Sequence, residues 1–374
     1  MDAIFQNFSN LTWQQVVMWA IGGILIYLAI KKDMEPSLLL PMGFGAILVN
    51  IPMSGAITQI IDGVKEIGVL NVLFDGGIAN ELFPLLLFIG IGAMIDFEPL
   101  LTNPKLMLFG AAAQFGIFAT LVGASLLGFP LKDAASIAII GAADGPTSIF
   151  VANYLHSNFL GPIIIAAYSY MALVPIVQPP IIKLLTTKKE RRIRMEYTGS
   201  SVSQSTKILF PIIVTVIAGI FAPRSVALVG FLMFGNLIRE CGVLGSLSET
   251  AQKVLANLIT LMLGLTVAAN MQAASFLSLQ TLMILALGLV AFIFDTAGGV
   301  VFGKVMNLFT KKKVNPMIGA AGISAFPMAS RVVHKLGLAE DKTNHLLMHA
   351  AGANVAGQIA SVIAGGVLLS LIVK

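Results

Sequence analysis

The sequence predicts an all-α polytopic membrane protein made of two structurally related, inverted repeats, with broken helices or re-entrant hairpins at the membrane midplane. Three observations carry that expectation. The 374-residue chain is 57% hydrophobic and only 11% charged, with a mean hydropathy of +0.91, whereas a soluble chain carries about 25% charged residues. Long apolar runs recur from end to end without the polar–apolar alternation of barrel strands. Two stretches of the first half also return in the second at nearly the same offset.

The apolar runs place candidate spans near 16–30, 38–51, 82–95, 106–128, 135–155, 160–182, 208–222, 226–238, 253–269, 280–303, 315–333 and 345–372. Several fall short of the roughly 20 residues that cross a bilayer, so tilted, re-entrant or broken helices are expected among them. The start, "MDAIFQNFSNLTWQQ", lacks the positive charges of a cleaved signal peptide, so an N-terminal transmembrane helix within 1–34 is expected to remain. Residues 35–182 are read as the first membrane repeat, with the amphipathic region 52–81 at an interface. The basic stretch "KLLTTKKERRIRMEYTGSSVSQSTK" (183–207) is read as a cytoplasmic linker, and 208–374 as the second repeat. Together with "KK" (31–32) and "TKKK" (310–313) it marks the cytoplasmic side under the positive-inside bias. That bias accounts for the net charge of +5 with no nucleic-acid partner. The single Cys241 excludes an intrachain disulfide and a thiolate metal site.

The internal match has two parts. "LFIGIGAMIDF" (87–97) aligns with "MLGLTVAANM" (262–271), pairing Gly90 with Gly264 and Asp96 with Asn270 at an offset of 174. "GAADGPTSIF" (141–150) aligns with "GAAGISAFPM" (319–328) at an offset of 178. Duplication of this kind places the ion site of many secondary transporters at the repeat interface. Lys311, Lys312 and Lys313 precede the second motif but only Lys132 and Asp133 the first, an asymmetry expected of inverted repeats.

Asp144 stands within such a run, followed at once by Gly145 and Pro146. A carboxylate at membrane depth costs a few kcal/mol, about 2.5–3.5 on insertion scales, so it marks a functional site by default. Freed carbonyls, the carboxylate and the hydroxyls of Thr147 and Ser148 form an oxygen set suited to a hard cation. The alternative is a kinked helix whose Asp144 pairs with a hydroxyl or a lysine. The second motif brings Asn315, Gly319, Ser324, Pro327, Ser330 and Arg331. Arg331 either binds a carboxylate, in this protein or in a substrate, or snorkels to the headgroups. Tyr168 and Tyr170 follow the first motif and are proton-passing phenols or interface-belt residues. His345 and His349 have metal spacing but no third ligand nearby, and read better as a helix-end pair. Asn354, Gln358 and Ser361 follow, amid small residues that read as close helix packing. Asp295 is a second intramembrane acid, either a minor site or a packing partner. "GGVVFGKV" (298–305) imitates a phosphate loop but has Val305 where the hydroxyl belongs, and it follows a span, not a strand.

"GAADGPTSIFVANYL", "AYSYMALVPIVQPPIIKLL", "NPMIGAAGISAFPMASRVVHKLG" and "HAAGANVAGQIAS" closely resemble the beta subunit of the sodium-translocating, biotin-dependent decarboxylases, the oxaloacetate, methylmalonyl-CoA and glutaconyl-CoA enzymes. The resemblance runs from residue 35 to the C-terminus. It implies a subunit that decarboxylates carboxybiotin, consuming a proton and driving Na⁺ out of the cell. It maps the family's essential aspartate onto Asp144 and its tyrosine onto Tyr170. The asparagine, glycine, serine and arginine of the second broken segment map onto Asn315, Gly319, Ser324 and Arg331. The roles it implies are Na⁺ binding for Asp144, Asn315, Gly319 and Ser324, catalysis for Tyr170, Ser324 and Arg331, and carboxybiotin binding for Arg331. Expected partners are a carboxyltransferase alpha subunit, a biotin carrier protein or domain, a small gamma/delta membrane subunit and membrane lipid, in a multimeric complex of the bacterial inner membrane. An Ala-Met-Lys-Met biotinylation site is missing, as fits biotin carried by a partner. The rival reading is a stand-alone Na⁺-coupled transporter of a carboxylate, which would need no biotinylated carrier.

Overall fold

The computed structural model describes residues 10–32, 34–61, 63–196 and 202–373. Among them, seven helices are long and apolar enough to cross a membrane, and up to eight if one bent pair counts as a span. Residues 1–9 of the N-terminal segment and 197–201 of the basic linker lie outside the described residues.

The first half begins with α1 (Trp13–Lys32), an apolar helix closed by Lys31 and Lys32, where cations meet both the negative helix end and the headgroups. α2 (Pro36–Val49) folds back on it. A Cβ on Gly22 or Gly43 would lie 2.6 Å from the other's carbonyl oxygen, so the two backbones touch. The amphipathic region contains one element that the all-α expectation did not include. Strands β1 (Gln59–Ile61) and β2 (Val64–Glu66) form an antiparallel hairpin. Its turn uses Gly63 at φ +80°, which side-chain-bearing residues rarely adopt. α3 (Val69–Gly77) and α4 (Leu82–Met94) follow, bent by 63°. Next come α5 (Glu98–Thr102), α6 (Met107–Ala112), α7 (Phe115–Leu126), α8 (Leu131–Ala138), α9 (Gly145–Tyr154) and α10 (Leu160–Leu185).

The second half comprises α11 (Lys188–Arg191), α12 (Gln204–Phe221), α13 (Val226–Glu240), α14 (Gly245–Glu249), α15 (Ala256–Val267), α16 (Ala273–Phe276), α17 (Leu279–Phe309), α18 (Met317–Ala320), α19 (Met328–Glu340) and α20 (Leu347–Ile372). α17 runs unbroken through the phosphate-loop look-alike, so those glycines are helix-packing residues. Two of the candidate spans are interrupted, at the motifs the sequence reads as helix breaks. 135–155 divides into α8, a 3₁₀ turn at Ile139–Ala142 and α9, and 315–333 divides into α18, an irregular stretch and α19.

Packing between the halves is pseudo-symmetric, consistent with internal repeats. The repeated motif equates α4 with α15. Equating α2 with α13 then maps the α4–α13 pair onto the α15–α2 pair, while α7 packs on α17. Both crossings are close backbone approaches. A Cβ on Gly92 would lie 1.8 Å from the Leu232 carbonyl oxygen, and one on Gly235 2.0 Å from that of Ile89. At the other crossing, a Cβ on Gly264 would lie 3.0 Å from the Leu38 carbonyl oxygen. Gly92→Ala should therefore push α4 from α13 and cost about 1–3 kcal/mol or more, read as a lower Tm of the detergent-purified protein. An unchanged Tm would contradict this packing.

The basic linker is docked in its first part. Thr187 and Glu190 form a capping box at the start of α11. Arg191 reaches Glu340 at 2.6 Å, and Arg194 reaches Asp341 at 2.7 Å. The Thr343 N–H and hydroxyl, then Arg194, hold the Asp341 carboxyl down at about 2. With its folded pKa depressed, Asp341 contributes stability above about pH 4 and loses it as pH falls towards 2.

Candidate functional site

The first break is built around Asp144. Ala143 adopts φ +52°, a left-handed conformation costly for a residue with a Cβ, and Asp144 is extended. Asp144 is thereby the N-cap of α9, accepting from Thr147 N at 3.3 Å and Thr147 Oγ1 at 2.7 Å. Gly145 and Pro146 open the new helix and do not kink its interior. Proline suits the first turn because its missing N–H has no intrahelical partner there. The helix's positive end then faces the carboxylate. Ser361 Oγ of α20 donates to Asp144 Oδ2 at 3.1 Å. Ser148 turns away from the carboxylate, its hydroxyl donating to the Asp144 main-chain oxygen at 2.8 Å.

The second break crosses the first. Ser324 donates to the Ala142 carbonyl from both its N–H, at 3.0 Å, and its hydroxyl, at 3.1 Å. Three consecutive carbonyls of this break are held by side-chain amides from other elements. Gln114, between α6 and α7, donates to Gly322 O at 3.5 Å, Asn354 to Ile323 O at 2.7 Å, and Gln358 to Ser324 O. Gln178 of α10 donates to Ala320 O at 2.7 Å. The remaining amide oxygens of all four are buried without a hydrogen-bond partner among the described residues. Such an oxygen costs about 1–3 kcal/mol. Four such neutral oxygens belong to side chains bonded to one unwound segment, and neutral oxygens are the ligand type that suits a hard monovalent cation.

Gln114 escaped the sequence reading, which named both Tyr168 and Tyr170 as phenols without separating them by position. Tyr168, not Tyr170, sits on the first break: a Cβ on Gly145 would lie 2.3 Å from its Cζ, and its hydroxyl is buried without a partner among the described residues. Two residues apart on a helix point in nearly opposite directions; both tyrosines are buried, and nothing in "AYSYMAL" says which one meets the break. Gln114 lies in a short helix break with no local signal. Asn354, Gln358 and Ser361, at i, i+4 and i+7, were legible as one polar helix face, and it is this face that meets both breaks.

The other sequence-derived candidates lie elsewhere. Tyr170 donates its hydroxyl to the Leu285 carbonyl of α17. Gly319 abuts α17, where a Cβ would lie 1.9 Å from the Gly299 carbonyl oxygen. Asn315 spends its amide on the linker, donating to the carbonyls of Arg191 and Ile193 at 2.9 Å each, while its oxygen accepts from Met317 N at 3.1 Å. Arg331 is exposed and lines a cavity with Lys32 and Lys335, away from Asp144. His345 precedes α20 and stacks on His334 at 5.9 Å. Among the described residues no cluster of three His, Cys, Asp or Glu side chains could hold a metal. Asp295 is fully buried on α17, accepts from Ile117 N at 3.1 Å and lies against Gly141.

Residues 14–372 match the family model of the Na⁺-transporting oxaloacetate decarboxylase beta subunit. The chain is 50% identical to the glutaconyl-CoA decarboxylase subunit beta of Acidaminococcus fermentans, over 98% of this chain and 95% of the relative. It is 48% identical to the methylmalonyl-CoA decarboxylase subunit beta of Propionigenium modestum, over 98% and 96%. It is 45% identical to the oxaloacetate decarboxylase beta chain of Klebsiella pneumoniae, over 96% and 95%. With its apolar helices and bacterial relatives it is a multi-pass protein of the bacterial inner membrane, and it belongs to the beta-subunit family of the Na⁺-translocating, biotin-dependent decarboxylases, as a membrane-embedded subunit of such an enzyme complex.

Proposed function

We propose that Na⁺ binds where the two breaks cross, and that carboxybiotin carried by a partner subunit is decarboxylated on its cytoplasmic side. The observation that carries this reading is the direct joining of the breaks, with Ser324 bonded to Ala142 two residues before the Asp144 carboxylate. Asp144 supplies the charge, while the Ser324 hydroxyl and the free amide oxygens complete the ligand set. Asn315 and Gly319 act through shape, Asn315 by anchoring the start of α18 to the linker and Gly319 by allowing α18 to touch α17.

Arg331 holds the carboxylate of carboxybiotin. The N–C bond breaks, CO₂ departs, and the electron pair left on the ureido nitrogen takes a proton. Tyr170 is the proposed donor, with Ser324 as a second candidate, and the tyrosinate is reprotonated from water. Tyr170 stands on α10 between Tyr168 at the ion site and Pro175 in the cavity wall. Five residues of helix, about 7.5 Å of rise, separate it from Pro175. Discharge of carboxybiotin and binding of Na⁺ then act on neighbouring groups of one broken region.

The repeats are proposed to be 35–182 and 208–374, inverted and meeting at the breaks, with 1–34 and the linker 183–207 outside them. The carboxyltransferase, the biotin carrier and a small membrane subunit complete the assembly. The decisive experiment is CO₂ release from a carboxylated biotin carrier by the complex in liposomes, with and without Na⁺, while ²²Na⁺ is followed. Release that requires Na⁺ and accompanies its movement is the expected result. Carboxylate-coupled Na⁺ uptake by this chain alone, with no carrier, would instead favour a symporter. Tyr170→Phe should slow release at saturating carrier by about 10²-fold or more, as expected for loss of a general acid, with Na⁺ binding retained.

A further inference from the structure

We propose that the cytoplasmic cavity beside α19 is a selective receptor for an N-carboxylated cyclic urea, in which Lys335 and Lys32 share the carboxylate with Arg331 and the Pro175 carbonyl accepts the ureido N–H. The inference rests on the reading of Arg331 above and adds the residues that distinguish a loaded carrier from an empty one.

The cavity has a volume of about 630 Å³, within the range of small-molecule sites. Lys32 enters from the end of α1, and Arg331 and Lys335 from one face of α19. None of the three forms an ion pair among the described residues, whereas Arg191, Arg194, Lys207, Arg239, Lys253 and Lys304 all do. Arg331 and Lys335 stand four residues apart, a like-charge spacing that destabilises a helix. An anion between them removes that repulsion. Among the described lining residues, Glu35 is the one acid beside three cations.

The opposite wall is α10, where Pro175 and Pro179 both line the cavity. Pro179 has no N–H to give to the Pro175 carbonyl, so that carbonyl lacks its i+4 helical donor. A cyclic urea carboxylated on one nitrogen retains one N–H, and therefore presents one donor beside one anion. Cations on α19 and α1, together with a carbonyl on α10 that lacks its i+4 donor, match that pair of features. Met328, Val332 and Leu336 give an apolar wall for the thiolane ring and the methylene arm. Uncarboxylated biotin offers the same N–H and the same apolar surface without the anion.

The test uses the assembled complex in liposomes with Lys335→Ala, Lys335→Arg and Lys32→Ala. Loss of one charge-assisted hydrogen bond should raise KM for the carboxylated carrier about tenfold in Lys335→Ala, with a smaller fall in kcat. Lys335→Arg should restore most of the affinity, and the Na⁺ concentration for half-maximal rate should not move. Inhibition by uncarboxylated biotin should keep its strength in Lys335→Ala, because the lost contact is to the carboxylate. An unchanged KM in the Lys32→Ala/Lys335→Ala double variant overturns the proposal, as does equal weakening towards carboxylated and free biotin. A KM effect that vanishes when anionic lipid is replaced by phosphatidylcholine would assign the cations to lipid phosphate and also overturn it. Wild-type complex that releases no CO₂ from the carrier would instead bring down the underlying reading.

Discussion

Asp144→Asn is expected to reduce Na⁺-dependent CO₂ release by about 100-fold or more while leaving the protein folded. Breaking a buried charge pair by removing one partner costs about 3–5 kcal/mol, and here the partner is the cation itself. With its oxygen in the Oδ1 place the asparagine still accepts from the Thr147 N–H, and its NH2 in the Oδ2 place donates to the Thr147 and Ser361 hydroxyl oxygens, so the cap of α9 survives. In the ion-free protein the change should be near neutral or stabilising, since a fully buried charge is removed. The check pairs CO₂ release across a Na⁺ titration with thermal unfolding in Na⁺-free and Na⁺-containing buffer. Wild-type Tm should rise with Na⁺ and the variant's should not. Equal Na⁺ dependence in both proteins would move the ion away from Asp144.

Gln358→Leu is expected to have the next largest effect. The glutamine donates to the Ser324 carbonyl and presents a buried oxygen with no partner among the described residues. Leucine removes both functions and leaves the carbonyl without its donor, a penalty of about 1–3 kcal/mol. If the free oxygen faces the ion, half-saturating Na⁺ should rise about ten- to hundredfold. Asn354→Leu, one turn away and bonded to Ile323 O, should act in the same direction. Asn236→Leu is the control: it lies between α13 and α4, bonding Gly92 O and Ile95 O, and also has an unpartnered oxygen. It should lower Tm without moving the Na⁺ requirement. A shift of equal size in all three variants would show general loosening and not ion ligation.

Much of this arrangement is local enough to read in one dimension. Asp144 declares itself because a charge in an apolar run has no inexpensive structural explanation. The matched motifs at 141–150 and 319–328 both became helix breaks, because small residues followed by proline cannot continue a helix without loss. The polar face of Asn354, Gln358 and Ser361 follows from helical periodicity alone. Other features did not follow. The choice of Tyr168 over Tyr170 at the first break depends on the rotation of α10 against α9. The hairpin sequence at 59–66 carries an Asp-Gly pair, a turn signal, but with three residues to a strand it does not stand out beside the long apolar runs. Asn315 lies in the repeated region yet binds the linker, because an amide with two donors is satisfied by whichever carbonyls folding brings near it.

The sequence by itself determined the membrane class, the family and the positions of the two breaks, since hydropathy, charge and proline act on their immediate neighbours. Only the tertiary structure decided which oxygens meet. Gln114, Ser324, Gln358 and Ser361 come from three segments, and they converge because an unwound backbone in lipid must find its hydrogen bonds on other helices.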